Sequence, residues 1–76
     1  MEELVRYLVN LLVDRPDEIE VRASAGGYGK VYEVYVARED LGKVIGRHGR
    51  TANALRSVVD AAARKRGEKA AVEIVS

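Results

Sequence analysis

"KVIGRHGRT", residues 43–51, interrupts a helical pattern in mid-course and places positive charge in the break. Two glycines, Gly46 and Gly49, bracket Arg47 and His48, with apolar, helix-like sequence on either side. A tight turn between two helices calls for glycine, which tolerates positive φ and lets another backbone approach closely. One glycine suffices to cap a helix. Two glycines three apart clear side chains from both ends of the loop. They leave backbone N–H groups and the N-terminus of the next helix facing outward, a surface suited to phosphate. Arg47 adds charge between them, and Lys43 and Arg50 stand at the edges.

Downstream, Arg50 to Arg66 reads as a long helix whose buried face is Ala52, Leu55, Val59, Ala62 and Ala63. Arg64, Lys65 and Arg66 suit the negative end of its dipole, and Gly67 suits the position just past it. Upstream, residues 39–45, "EDLGKVI", read as a short helix begun by Glu39 or Asp40, with Leu41, Val44 and Ile45 as apolar contacts.

Three segments alternate apolar and polar residues and read as strands. Residues 18–24 place Ile19, Val21 and Ala23 on one face; residues 30–37 place Tyr32, Val34 and Val36 inward; residues 69–75 place Ala70, Val72 and Ile74 inward. The Gly-rich "AGGYGK", residues 25–30, joins the first two as an antiparallel hairpin. Its "GGYGK" lacks the spacing of a phosphate-binding P-loop and precedes a strand rather than a helix.

Residues 2–13, "EELVRYLVNLLV", read as an opening helix with a buried row of Leu4, Leu8, Leu11 and Leu12, stopped where Pro16 disfavours helix at Arg15. Val5, Val9 and Val13 form a second apolar row, which fits either a deeply embedded helix or a partner interface. The order is therefore α-β-β-α-α-β. The last two strands, joined through two helices, can lie parallel by a crossover. The expected architecture is an α+β domain, a three-stranded mixed sheet with helices on one face.

A chain of 76 residues allows one small domain, residues 1–76. With no Cys and one His it offers neither a disulfide framework nor a zinc site. No acid–base pair or nucleophile–His pairing stands out, so no catalytic residue and no cofactor are expected. The acidic N-terminus does not read as a secretory signal, and no apolar run approaches the roughly 20 residues that span a bilayer. The reading is a cytoplasmic protein. Its net charge of +1 hides an asymmetry: residues 1–20 carry six acids and two bases, whereas residues 43–66 carry seven bases and one acid. A face built for a polyanion and a solvated Arg-rich helix face both fit that distribution.

"VIGRHGRTANALR", following a hairpin and preceding "GEKAAVEIV", resembles a KH domain of the type II arrangement. With "LVDRPDEIEV" and "VAREDLGKVIGRHGRTANALR", the likeness covers nearly the whole chain and is similar to the small bacterial KhpA family. That resemblance implies an RNA-binding protein whose loop holds the backbone of single-stranded RNA. Gly46, Arg47, His48 and Gly49 would form the clamp. Val44 and Ile45 would floor an apolar groove for the bases, with Lys43, Arg50 and Thr51 on phosphate or sugar at its margins. Leu55 and Val58 fit either the opposite wall or plain core. His48 is read as an exposed donor or acceptor to RNA.

The resemblance also implies a homodimer, or a heterodimer with a larger KhpB or Jag-like KH protein, since paired clamps gain affinity by avidity. It further implies a role as RNA chaperone or post-transcriptional regulator linked to cell division and cell shape. Neither membrane attachment nor a small-molecule substrate is expected. Two other readings remain open here. One is an assembly adaptor whose main task is pairing with that larger partner. The other is a DNA-binding helix-turn-helix, with Asn53, Arg56 and Ser57 turned outward from the second helix.

Overall fold

The computed structural model of the chain describes residues 1–27 and 29–76, so Tyr28, within the expected hairpin turn, lies outside the described residues. The three alternating segments form one sheet: β1 (Glu20–Ala25), β2 (Lys30–Tyr35) and β3 (Ala70–Ile74), with β2 in the centre. β1 runs antiparallel to β2, pairing Val21 with Val34, and β3 runs parallel to it, pairing Tyr32 with Val72. Because side chains alternate across a strand, this register places Val21, Tyr32, Val34 and Val72 on one face. Gly26 and Gly29 exchange two backbone hydrogen bonds at the hairpin end.

Three helices cover that face: α1 (Glu2–Asn10), α2 (Leu41–Ile45) and α3 (Arg50–Lys65). Val5 and Val9 of α1, Val44 of α2, and Leu55, Val59 and Ala63 of α3 close on the sheet residues in one core. The opposite face carries Glu20, Arg22, Glu33, Tyr35 and Glu73. There Arg22 pairs with Glu20 and lies 5.0 Å above the Tyr35 ring. The α+β class, the mixed three-stranded sheet and the α-β-β-α-α-β order are as the sequence implies, with short 3-10 turns at Pro16–Glu18, Arg38–Asp40 and Arg47–Gly49 added between the elements.

Three expectations are corrected. The first helix ends at Asn10 rather than at Val13, because Leu12 bonds back to Val9 in a tighter turn and the chain then swings toward α2. Of its two apolar rows, the valines face the sheet: Val5 and Val9 are fully buried, Leu4, Leu8 and Leu12 are partly buried, and Leu11 is 65% exposed. Ala23, expected inward, is exposed. It lies toward the hairpin end of the edge strand β1 and takes no part in the core.

Candidate nucleic-acid interface

The break between α2 and α3 is a single 3-10 turn whose backbone glycine makes possible. Gly46 sits at φ 75°, ψ 170°, a region open in practice to glycine alone. Gly49 is left-handed at φ 72°, and His48 joins it there at φ 56°, the one described non-glycine residue with positive φ. A β-carbon on Gly46 would meet the Thr51 side chain, whereas one on Gly49 would meet open space. Gly46 is thus required for close packing as well as for its φ, and Gly49 for φ alone.

Inside the loop, the Gly46 N–H donates to Gly42 O, that of Gly49 to Gly46 O, and that of Arg50 to Arg47 O. The N–H groups of Arg47 and His48 stand outside that set. Arg47, His48 and Arg50 are exposed. Neither Arg47 nor Arg50 pairs with a carboxylate among the described residues, whereas Arg6, Arg15, Arg22, Lys43 and Arg64 all do. The loop therefore carries two cations free of any carboxylate among the described residues.

Lys43, expected at the margin, is engaged. Its ammonium donates to Asp14 and lies 3.6 Å from Asp40 Oδ1. The bond to Asp14 holds the ammonium above the ordinary lysine range, and Asp40 adds to the effect. Asp40 is only 1% exposed and anchors this corner. It accepts the Asp14 N–H at 3.2 Å and the Arg15 N–H at 3.0 Å. Burial alone would push its carboxyl up. The two N–H groups and Lys43 outweigh burial and hold it below the usual aspartate range. The loop-bearing helix is thereby tied to the segment that follows α1, and Arg15 reinforces the tie by pairing with Glu39 at 2.9 Å. Sequence reasoning placed Asp40 only at a helix start; nothing local marks it as the buried anchor.

Val44, expected on a groove floor, is wholly buried in the core and presents no surface to a ligand. Its neighbour Ile45 is 36% exposed beside the loop and can offer an apolar contact. Thr51 is half-buried beneath Gly46. On α3, Leu55 is core and Val58 is 48% exposed. Val58, Ala54 and Thr51 line an apolar depression with Leu8, Leu11 and Leu12 of the α1 region, a cleft of about 200 Å³. On its other flank, Arg56 turns back onto the sheet: its Nε donates to Val72 O at 3.2 Å and its Nη1 to Asn53 Oδ1 at 3.2 Å.

A family model described as "KhpA/KhpB, KH domain" matches residues 2–74. The chain belongs to that family. Among curated KhpA proteins, one from Treponema pallidum (strain Nichols) is 46% identical over 74 residues, covering 97% of this chain and 92% of the relative. Another, from Caldanaerobacter subterraneus subsp. tengcongensis, is 47% identical over 75 residues, covering 99% of this chain and the whole of the relative. The protein of Clostridium perfringens (strain 13 / Type A) is 45% identical over 75 residues, with the same coverage. Each of the three bears the name RNA-binding protein KhpA. No solved structure matches the chain. Within this KhpA/KhpB KH domain, the Gly-x-x-Gly segment falls on the strained loop and its unpaired cations, and the matched span includes all three strands and all three helices. Among the described residues no helix is long and apolar enough to cross a membrane.

Proposed function

We propose that this chain is a non-enzymatic module that grips single-stranded RNA at Gly46–Gly49. The observation that carries the reading is the loop itself: positive-φ backbone at Gly46, His48 and Gly49, flanked by Arg47 and Arg50 with no acidic partner among the described residues. Phosphates are held by backbone N–H groups and the two guanidinium groups, while Ile45 meets a base from the helix side. Thr51, pinned beneath Gly46, fixes the loop's height above α3. Lys43 acts as a strut of α2 through Asp14 and Asp40. The names of the relatives support RNA as the nucleic acid. A cytoplasmic role as RNA chaperone or post-transcriptional regulator is the cellular setting this reading favours.

One clamp touching about four nucleotides binds modestly, and pairing raises effective affinity. We place the pairing surface, with a second copy or with a larger KhpB-like protein, on the apolar cleft of Leu8, Leu11, Leu12, Ala54 and Val58. The family model, which spans KhpA and KhpB, supports such a partner. The DNA-reading alternative is disfavoured by Arg56, whose guanidinium is spent on Val72 O and Asn53 rather than extended from α3.

The test is fluorescence anisotropy with a short random single-stranded RNA at two salt concentrations, comparing wild type with Arg47→Asp/His48→Asp. Binding that weakens with salt in the wild type and vanishes in the variant, with an unchanged melting temperature, is the expected outcome. Wild-type affinity in the variant would sink the assigned site, and preferential binding of duplex DNA would favour the helix-turn-helix reading.

A further inference from the structure

We infer that the RNA track does not stop at the Gly-x-x-Gly loop but continues to a second nucleotide subsite at the opposite end of α2, formed by Tyr35, Arg38 and Leu41. This inference rests on the RNA-binding reading above and adds a place that the loop does not provide. A cleft of about 550 Å³ opens where the C-terminal ends of β2 and β3 meet the start of α2, and Tyr35, Val36, Arg38, Leu41, Val75 and Ser76 line it. Its size lies within the roughly 300–1,000 Å³ of small-ligand pockets.

Its chemistry fits a nucleotide. Tyr35 supplies an aromatic ring, and base–aromatic stacking tolerates any base. The ring is held in place by the Arg22 guanidinium, 5.0 Å from its centroid, and Arg22 is itself fixed by Glu20. Leu41, Val36 and Val75 give apolar walls. Arg38 is exposed and pairs with no carboxylate among the described residues, a state it shares with Arg47 and Arg50. The two acids that follow Arg38 in sequence are engaged elsewhere, Glu39 with Arg15 and Asp40 with Lys43 and two backbone N–H groups. Arg38 is therefore available to a phosphate.

The cleft also lies on the loop's path. Leu41 and Ile45 are one helical turn apart, so they share a face of α2. Arg38 and Arg47 stand at its two ends, separated by a 3-10 turn and the five residues of α2, roughly 14 Å of rise. An RNA strand leaving the loop past Ile45 meets Leu41 next and then the ring of Tyr35. Tyr35 belongs to the sheet face that no helix covers, so the strand passes from the helical layer over the end of the sheet.

The experiment measures affinities for four-nucleotide and eight-nucleotide oligouridylates in wild type, Arg38→Ala, Tyr35→Ala, Tyr35→Phe and the loop variant Arg47→Asp/His48→Asp. The larger number of binding registers on the longer oligomer favours it equally in every protein, so the informative quantity is the change in the eight-to-four ratio. Wild type should show a ratio about tenfold larger than Arg38→Ala or Tyr35→Ala. Both variants should keep wild-type affinity for the tetramer, and Tyr35→Phe should keep the full ratio because the ring remains. Equal ratios in wild type and both alanine variants would overturn the subsite. So would an equal loss on both oligomers, which would mark a generally weakened fold. Tetramer binding unaffected by the loop variant would instead overturn the loop reading, and the two failures are thereby told apart.

Discussion

Gly46 and Thr51 leave no room for a side chain between them: a β-carbon on Gly46 would lie 2.2 Å from Thr51 Oγ1 and 2.7 Å from its Cβ. Gly49, three residues on, has the same sign of φ and nothing within 4 Å. The two glycines of one motif are thus held by different forces.

Their alanine variants should separate accordingly. Gly49→Ala incurs only the left-handed backbone penalty, about 1–2 kcal/mol. Gly46→Ala adds overpacking to a glycine-only backbone region and should cost about 2–5 kcal/mol, with loss of RNA binding. Chemical denaturation beside RNA titration measures both. Equal costs would mean that the Thr51 contact relaxes away.

Val44 and Ile45 are adjacent in sequence and opposite in role. Val44→Ala should destabilise by about 2 kcal/mol through a core cavity and leave the RNA affinity of the folded fraction unchanged. Ile45→Ala should move stability by less than about 1 kcal/mol and weaken RNA binding several-fold. A reversed pattern would place Val44, not Ile45, in the groove.

Asp40 makes the corner acid-labile. Its carboxyl is held below the usual aspartate range in the folded protein. The stability it adds is fully present above the ordinary aspartate value and is lost as pH falls through its depressed one. Asp40→Asn should lower the neutral-pH melting temperature and flatten the acid side of the stability profile, read by thermal melts from neutral to strongly acidic pH. An unchanged acid limb would mean that other carboxylates carry it.

Leu11 protrudes from the apolar cleft at 65% exposure, so Leu11→Asp should leave monomer stability within about 0.5 kcal/mol. Sedimentation should show it losing any concentration-dependent self-association, and pull-down with a KhpB-like protein should weaken. Retention of both would move the pairing surface elsewhere.

The strands and the Gly-x-x-Gly loop were legible because alternation and glycine are local signals. The face of α1 was not. Its leucine and valine rows both recur at helical spacing, and periodicity cannot say which of two neighbouring rows meets the sheet. That choice is made where the chain goes next, which depends on Asp40 gripping Asp14 and Arg15 from 26 and 25 residues away. Lys43 misled for a similar reason. A count of bases around the loop treats every charge as free, but its pairing with Asp14 crosses 29 residues. Val44 and Ile45 form an apolar pair in the sequence, and only the packed helix separates core from surface.

The parallel pairing of β2 with β3 places the whole loop inside the crossover that joins them. Contacts between segments distant along the chain form late in folding. A nascent chain on the ribosome would carry Gly46–Gly49 well before Ala70–Ile74 exist to dock against β2, and α3 would lack β3, the strand it packs on most. The crossover that carries the loop therefore closes only once Ala70–Ile74 have left the ribosome.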